Sequence, residues 1–242
     1  MRGIFVLGTA NLCIIPARGG SQRIPGKNIR LFDGRPIINY PIEAALESEL
    51  FDCVMVSTDD ENIARIAIDS GAQVPFLRSP ENSDDYAGLA EVLIEVIDNM
   101  SSATGKEFST VCCILPTAAL ISAATLKKAF QKYRSSHAES LVSIQEFHYP
   151  IQRALKIENE QISMVWPENY ARRSQDLLPR LHDAGQFYFL RTAPFLKQKK
   201  LFCENCVGYL LAASEAQDID NEDDWLLAEQ KYDFLRKRGV LQ

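Results

Sequence analysis

The sequence predicts an α/β fold in which a mostly parallel sheet is covered by helices on both faces. Short apolar runs alternate with longer segments whose apolar residues recur at helical spacing. Strands that are buried on both faces read as continuous apolar runs, and parallel strands need a crossover between them. The length of 242 residues suits one large domain with a modest subdomain.

The first half of the chain supplies this alternation. Strands are expected at 12–16, 53–58, 72–77 and 111–115, and helices at 36–48, 59–71, 88–100 and 123–133. Asp59 or Asp60 can cap the second helix, and Gly71 can close it because glycine tolerates the left-handed backbone found after helices. Pro41 lies inside the first helical pattern and must bend or restart that helix.

The second half returns to strands and ends in a helix. Strands are expected at 140–145, 185–190 and 206–213. The last helix follows Asn221, a residue type typical of helix N-caps, and has acids in its first turn and cations in its last. Its apolar spacing predicts one buried stripe. The stripe consists of Trp225, Ala228, Tyr232 and Leu235.

The alternation breaks at residues 146–182, which are polar, aromatic and basic. A long excursion within a compact domain is usually a lid, an insertion or an oligomerisation arm, although an ordinary surface loop remains an alternative. Exposed aromatic and basic side chains favour a surface that a partner covers. These side chains are Tyr149, Trp166, Tyr170, Arg172 and Arg173.

Composition excludes several classes of protein. The net charge of −6 argues against a nonspecific nucleic-acid binder, and no apolar stretch approaches the roughly 20 residues that a membrane-spanning helix needs. Residues 1–17 resemble an export signal only in part, because polar residues interrupt their apolar core, so a leader or an extra strand is expected there. The cysteines fit a reducing cytoplasm, and the C-x-x-C at 203–206 is expected to be incidental.

The loop after the first predicted strand reads as a phosphate cradle. In "IIPARGGSQRIPGKN", residues 14–28, Gly19 and Gly20 allow close approach of the backbone to a ligand, while two arginines and a lysine supply positive charge. The dinucleotide fingerprint and the G-x-x-x-x-G-K-[ST] nucleotide loop are both absent, which disfavours a nicotinamide oxidoreductase. From these residues alone a solvated surface loop remains open.

A second candidate element is "DID" near the final helix. Asp218 and Asp220 stand two residues apart, so in an extended backbone their side chains project to the same side. Two such carboxylates can hold one hard cation with waters and phosphate oxygens, which is how Mg²⁺ is usually bound. A helix-capping role for these acids is the alternative.

These segments together resemble the sugar cytidylyltransferases, which join acidic sugars to CMP. "PARGGSQRIPGKN" resembles their signature loop. "STDDENIA", "LRSPENSDDYAG", "SQDLLPRLHDAGQFYF" and "AQDIDNEDDW" occur in the same order as in the acylneuraminate branch, and "RSQD" and "HDAGQFY" are most similar to the pseudaminic acid enzymes. The resemblance runs from about Asn11 to the end of the last helix. It implies a Rossmann-like fold for residues 1–242, with a dimerisation and substrate subdomain inserted at 146–182 that in relatives reaches the partner's active site.

The resemblance also implies roles for individual residues. The nucleotide CTP would be held by Arg18, Gly19, Ser21, Gln22, Arg23, Lys27, Asn28 and Arg78. Asp218 and Asp220 would bind Mg²⁺ and act with Arg18 and Lys27 in catalysis. The sugar side would be lined by Arg173, Gln175, His182 and Asp183.

The expected reaction is transfer of CMP from CTP to a nonulosonic acid, an acidic nine-carbon sugar, with pseudaminic acid favoured. The expected protein is a cytoplasmic homodimer without nucleic-acid or membrane partners. Alternatives are N-acetylneuraminate as the acceptor, or a weakly active nucleotide-binding scaffold. Relatives usually carry Lys at the position of Gln22, and losing one charged contact there would cost about 2–4 kcal/mol of transition-state binding.

Overall fold

A six-stranded sheet forms the centre of the computed structural model, which describes residues 10–21, 23–83 and 87–241. In chain order the strands are β1 (Ala10–Pro16), β2 (Leu31–Phe32), β3 (Arg35–Pro36), β4 (Cys53–Ser57), β5 (Phe108–Ile114), β6 (Ser140–Glu146), β7 (Leu155–Glu158), β8 (Gln161–Met164), β9 (Leu181–Arg191) and β10 (Cys206–Leu210). Side by side the main sheet runs β10-β6-β9-β5-β1-β4. Of these six strands β9 alone runs antiparallel to its neighbours, so the predicted mostly parallel sheet is confirmed.

The helices lie on both faces of this sheet. They are α1 (Asn39–Glu47), α2 (Glu61–Asp69), α3 (Leu89–Thr104), α4 (Ala123–Ser136), α5 (Thr192–Gln198) and α6 (Glu222–Lys237). Along β1, Cys13 and Ile15 pack with side chains of α1, α2 and α4, whereas Leu12 and Ile14 pack with α3 and α5. Strands buried on both faces are typical of α/β folds, and the alternation along β1 shows why its sequence is apolar throughout.

The residues predicted to begin and end the second helix do so in the structure. The carboxylate of Asp60 accepts from the backbone N–H groups of Asn62 and Ile63 and caps α2, while Gly71 adopts a φ of 92° just after that helix. The helix expected at 36–48 begins only at Asn39, because residues 35 and 36 pair with β2. Pro41 therefore falls in the first turn of α1, where a missing N–H costs little.

The strand predicted at 72–77 is wrong. Within this segment the structure has a single parallel bridge, from Gln73 to Met55 of β4. Pro75 lacks the backbone N–H that a continuing ladder requires, so pairing ends almost as soon as it begins.

Apart from the two faces of the main sheet, a further apolar cluster packs around α6. The predicted stripe of Trp225, Ala228, Tyr232 and Leu235 is buried, as expected. The ring of Phe32 lies edge-on to Trp225, Tyr232 and Tyr40, with centroids 5.4–5.7 Å apart. Such aromatic packing stabilises beyond the buried area alone, and it holds in place the acidic segment that leads into this helix.

Residues 146–182 leave the main sheet at Glu146 and return at Leu181, and these two residues pair with each other. Between them β7 and β8 form a separate antiparallel hairpin, in which Ile157 pairs with Ile162 and Leu155 with Met164. Side chains on a strand alternate between faces, so these four residues share one apolar face. Leu155, Ile157 and Ile162 are 60%, 71% and 66% exposed. Within the described chain this hairpin face is therefore largely uncovered.

Two remaining expectations concern membranes and the start of the chain. The helices formed by the described residues are all too short or too polar to cross a bilayer. The leader or extra strand expected at residues 1–17 falls largely outside the described residues, which begin at Ala10 as part of β1.

Candidate active site

The loop after β1 and the acidic segment before α6 meet at one cleft of about 690 Å³. In a parallel sheet the carboxyl ends of strands share an edge, and the loop of residues 17–30 begins at that edge. Because β9 runs antiparallel, its first residues reach the same edge. The polar lining consists of Arg18, Ser21, Arg23, Lys27, Asn28, Arg78 and Asp220, so predicted nucleotide-binding residues are brought together here.

Direct contacts join the cationic loop to the acids across nearly 200 residues of sequence. Lys27 Nζ donates to the backbone oxygen of Ile219 at 2.6 Å, and Arg23 forms an ion pair of 2.7 Å with the carboxylate of Asp220. Burial lowers the pKa of Lys27, while the charges of Asp220 and Asp218 oppose that shift. The lysine is thus a half-buried cation that faces both acids.

The charges of Asp218 and Asp220 act on each other and on Lys27. Ile219 between them is buried, which leaves Asp218 and Asp220 on the opposite side of the backbone. Loss of water around Asp218 and the charge of Asp220 raise the pKa of Asp218, and Lys27 acts against this. Two repelling carboxylates near cations suit a hard divalent ion such as Mg²⁺. The described residues offer no cluster of three or more ligating side chains, so waters and phosphate oxygens would complete the coordination.

The backbone of the loop is held from two sides. The N–H of Gly19 donates to Asp59 Oδ1 at 2.9 Å, and a Cβ at Gly19 would lie 3.0 Å from both Cβ and Oδ2 of Asp60. Asn28 Nδ2 donates to the backbone oxygen of Arg18 at 2.9 Å. Among the described residues Oδ1 of Asn28 is buried without a hydrogen-bond partner, although Asn28 lines the cleft. That oxygen is available to a ligand donor.

Arg78 enters the cleft from the segment after β4. Its side chain is buried and donates to Ser57 through Nε, at 3.0 Å to Oγ, and through a terminal nitrogen to the backbone oxygen. Burial lowers the pKa of Arg78, while Asp59 and Glu95 raise it. The arginine is therefore fixed by the end of a core strand, which gives it a defined position beside a ligand.

The predicted sugar side divides into two groups. Asp183, at the start of β9, accepts from Tyr188 Oη at 2.8 Å and from the N–H of Gly185 at 2.9 Å. A bulge in β9 brings Gly185 close to Asp218, since a Cβ there would lie 3.7 Å from the carboxyl carbon. The ring of His182 packs at a tilt against that of Phe147, with ring centroids 4.7 Å apart. Asp183 thus neighbours the acids, and His182 lies next to it.

The second group lies on the 146–182 segment. Arg173 forms a two-bonded ion pair with Asp176, at 2.8 and 3.1 Å, and Gln175 lies in the same short turn. The described residues that line the cleft include none of the four predicted sugar residues, and the role of all four at the sugar stays a prediction. Gln22 lies outside the described residues.

Sequence reasoning missed the apolar wall of the cleft and several anchoring residues. Apolar residues that line the cleft include Leu89, Val92, Leu115 and Pro116. The sequence predicts only a possible helix cap at Asp59, yet its carboxylate accepts a hydrogen bond from the backbone N–H of Gly19. The available signal was position, because acids directly after a buried parallel strand lie at the edge where ligands gather.

Comparison with known proteins supplies the family. The cytidylyltransferase family model matches residues 12–211. The chain belongs to the cytidylyltransferase family. This confirms the predicted enzyme class, a nucleotidyltransferase, and the match covers both the cationic loop and β9.

Individual relatives refine this assignment. The cytidylyltransferase is 42% identical over 223 residues to pseudaminic acid cytidylyltransferase of Campylobacter jejuni, covering 92% of this chain and 96% of that protein. It is 32% identical over 219 residues to N-acylneuraminate cytidylyltransferase of Streptococcus agalactiae, covering 89% of this chain and 51% of that protein.

A solved structure of CMP:2-keto-3-deoxy-manno-octonic acid synthetase complexed with CTP aligns with a TM-score of 0.66 over 95% of this chain and all of that one. At 17% sequence identity this likeness shows the fold.

Proposed function

We propose that this cytidylyltransferase transfers CMP from CTP to pseudaminic acid and releases pyrophosphate. The observation that carries the proposal is the meeting of Lys27 and Arg23 with the Asp218–Asp220 segment at one cleft. Cations on one side suit a triphosphate, and carboxylates on the other suit a divalent cation that accompanies it. The 42% identity to a pseudaminic acid enzyme favours that acceptor over N-acetylneuraminate, for which the identity is 32%.

The reaction is a substitution at the α-phosphorus of CTP. The anomeric hydroxyl oxygen of the acid forms the new P–O bond, the bond to the bridging oxygen of pyrophosphate breaks, and the hydroxyl proton leaves to solvent. Catalysis then rests on positioning and on charge, without a covalent enzyme intermediate. Lys27, Arg23 and Arg18 would offset the growing negative charge on the phosphates.

Mg²⁺ is the metal that the donor set fits best. Asp218 and Asp220 present oxygen ligands. Burial, and after it the charge of Asp220, raises the pKa of Asp218, and a divalent cation would offset both effects. A bound Mg²⁺ ion would lower the pKa of the attacking hydroxyl and stabilise charge on the phosphate oxygens. Arg23, which pairs with Asp220 here, would be freed to meet phosphate.

The acceptor would lie beside the start of β9. Asp183 is fixed by Tyr188 and the backbone of Gly185, so its carboxylate can accept from sugar hydroxyls or amides. Arg173 is charged and exposed, and a bidentate arginine matches the carboxylate of an acidic sugar. Because Arg173 lies on the 146–182 segment, we infer that it serves the site of a partner copy.

A homodimer is the assembly that this segment favours. The exposed apolar face of the β7–β8 hairpin would be covered by a second copy, as obligate interfaces cover apolar area. Residues 146–182 would then form the dimerisation and substrate subdomain. The six free cysteines fit the cytoplasm, which we infer as the compartment.

The test is product analysis from a mixture. The protein is incubated with CTP, Mg²⁺ and equal amounts of pseudaminic acid, N-acetylneuraminic acid and keto-deoxy-octonate, and CMP-sugars are separated by mass. We expect CMP-pseudaminic acid in excess, and none from an Asp218→Asn, Asp220→Asn double variant. A dominant product from another acid would overturn the acceptor assignment.

The neutral residue Gln22 within a cationic loop favours a second candidate function, that of a nucleotide-binding scaffold. CTP binding without any CMP-sugar, combined with strong turnover by a Gln22→Lys variant, would identify a nucleotide-binding scaffold instead.

A further inference from the structure

The acidic segment 216–221 is held by side chains from three directions. Lys27 holds Ile219 from the loop, and two further ties come from β9 and α6. The carboxylate of Asp224 accepts from the backbone N–H groups of Asp220 and Asn221 at 3.0 and 3.1 Å. The backbone of this segment is therefore bonded by side chains of the loop after β1, of β9 and of α6.

Lys231 of α6 forms two hydrogen bonds to the start of this segment. Its Nζ donates to the backbone oxygen of Ala216 at 2.8 Å and to Gln217 Oε1 at 2.9 Å. Its hydrogen-bond partners among the described residues are neutral oxygens, and burial lowers the pKa of Lys231. Partial burial of an ammonium group without an acidic partner has a cost, which its two hydrogen bonds offset.

Gln186 of β9 contacts the same segment through its side-chain amide. Its Nε2 atom lies 3.4 Å from the backbone oxygen of Gln217 and 2.9 Å from the oxygens of Ala184 and Gly185. Gln217 Nε2 in turn donates to the backbone oxygen of Asp218. Gln217 therefore lies between two side chains, and Asp218 follows directly after it.

We propose that Lys231 is a positioning residue for the two acids: it holds the backbone oxygen of Ala216 and the side chain of Gln217, and Gln186 holds the backbone oxygen of Gln217, so that Asp218 and Asp220 have fixed positions before a cation or nucleotide arrives. This inference rests on the proposed function, because the acids need fixed positions only if they hold a metal. Residues that orient ligands from outside the coordination sphere typically change metal affinity 10–100-fold when they are altered.

The test compares three variants that differ in what the side chain can donate. Lys231→Met removes the donors and keeps the apolar stem, Lys231→Arg keeps a cationic donor, and Lys237→Met is a matched control on the exposed side of α6, where Lys237 pairs with Asp233. Hydrogen–deuterium exchange of a peptide spanning 214–224 reports on the segment in the free protein. Mn²⁺ affinity, measured by electron paramagnetic resonance with CTP and without a sugar, reports on the acids.

We expect Lys231→Met to exchange faster in this peptide and to bind Mn²⁺ about tenfold more weakly, with a matching rise in the Mg²⁺ concentration that gives half-maximal rate. Lys231→Arg should recover most of the affinity, and Lys237→Met should match the unaltered protein. Faster exchange in Lys231→Met with unchanged Mn²⁺ affinity would overturn the proposal and leave Lys231 a structural contact. Unchanged exchange would overturn it as well.

Failure of the proposed function looks different. In that case the unaltered protein itself would form no CMP-sugar, and Mn²⁺ would show no CTP-dependent binding. The positioning role would then fall with the metal site that it serves.

Discussion

At the scale of single residues, two neighbouring glycines occupy different environments. A Cβ at Gly19 would lie 3.0 Å from Asp60, closer than side chains normally approach, whereas a Cβ at Gly20 would meet nothing within 4 Å. Gly19 also donates its N–H to Asp59. An added methyl group therefore has room at Gly20, whereas at Gly19 it crowds the side chain of Asp60.

We therefore predict that Gly19→Ala raises the KM for CTP about tenfold, the equivalent of 1.4 kcal/mol. The added methyl group must displace Asp60 or the loop backbone, and Asp60 also caps α2. Gly20→Ala should behave as the unaltered protein. Steady-state kinetics with varied CTP measures both, and equal KM values for the two variants would contradict the steric argument.

Lys27 offers a second prediction at this scale. Lys27→Met should lower kcat/KM by about 10²–10³-fold, because it removes a preorganised cation from the site of the phosphates. The same change should not lower the thermal midpoint, since burial already lowers the pKa of Lys27 and the charge is costly to bury. Loss of activity together with loss of stability would instead indicate a structural lysine.

At the scale of elements, the start of α6 is fixed by a capping box. Asn221 accepts from the N–H of Asp224, and Asp224 accepts from the N–H of Asn221. Replacing an N-cap by alanine typically costs about 0.5–2 kcal/mol. Because the acids precede this cap directly, stability and metal binding should both depend on it.

We predict that Asn221→Ala lowers the free energy of unfolding by about 1 kcal/mol, whereas Asn221→Asp, which keeps an acceptor at a helix N-terminus, stays within about 0.5 kcal/mol. Urea unfolding followed by circular dichroism measures both variants. An equal loss in the aspartate variant would show that the amide group, rather than an acceptor, is required.

The elements also show where sequence patterns succeed. Long apolar runs such as 111–115 and amphipathic stretches such as 88–100 predict buried strands and helices well, because burial selects those residues directly. The two-residue strands β2 and β3 carry no periodicity that a pattern could detect. At 72–77 an apolar composition suggested a strand, but Pro75 prevents the hydrogen bonds that would make one.

At the scale of the whole molecule, the β7–β8 hairpin has one apolar and one polar face. We predict that Ile157→Glu converts a dimer to monomers, because it places a charge in the apolar contact. Lys156→Glu, one residue away on the opposite face, should leave the dimer intact. Light scattering after size-exclusion chromatography distinguishes the two, and a monomeric unaltered protein would contradict the assembly itself.

The site as a whole was only partly predictable from sequence. The cationic loop and the acids could be paired, since the motif order resembles a known family and parallel strands gather loops at one edge. The ties from Gln186 and Lys231 could not, because a glutamine and a lysine within ordinary elements give no signal of what they contact. Gly19 and Gly20 likewise look equivalent in sequence, and only the position of Asp60 separates them.

Strand β9 connects the 146–182 segment to the residues beside Asp218, because it runs antiparallel to its neighbours. This strand leaves the 146–182 segment at Leu181, passes Asp183 and Gly185 beside the acids, and continues into the core as far as Arg191. The proposed dimer contact and the proposed acceptor site are therefore connected through this one strand. Any effect that association of two copies has on the affinity for the sugar must be matched by an equal effect of the sugar on association, because thermodynamic linkage is reciprocal.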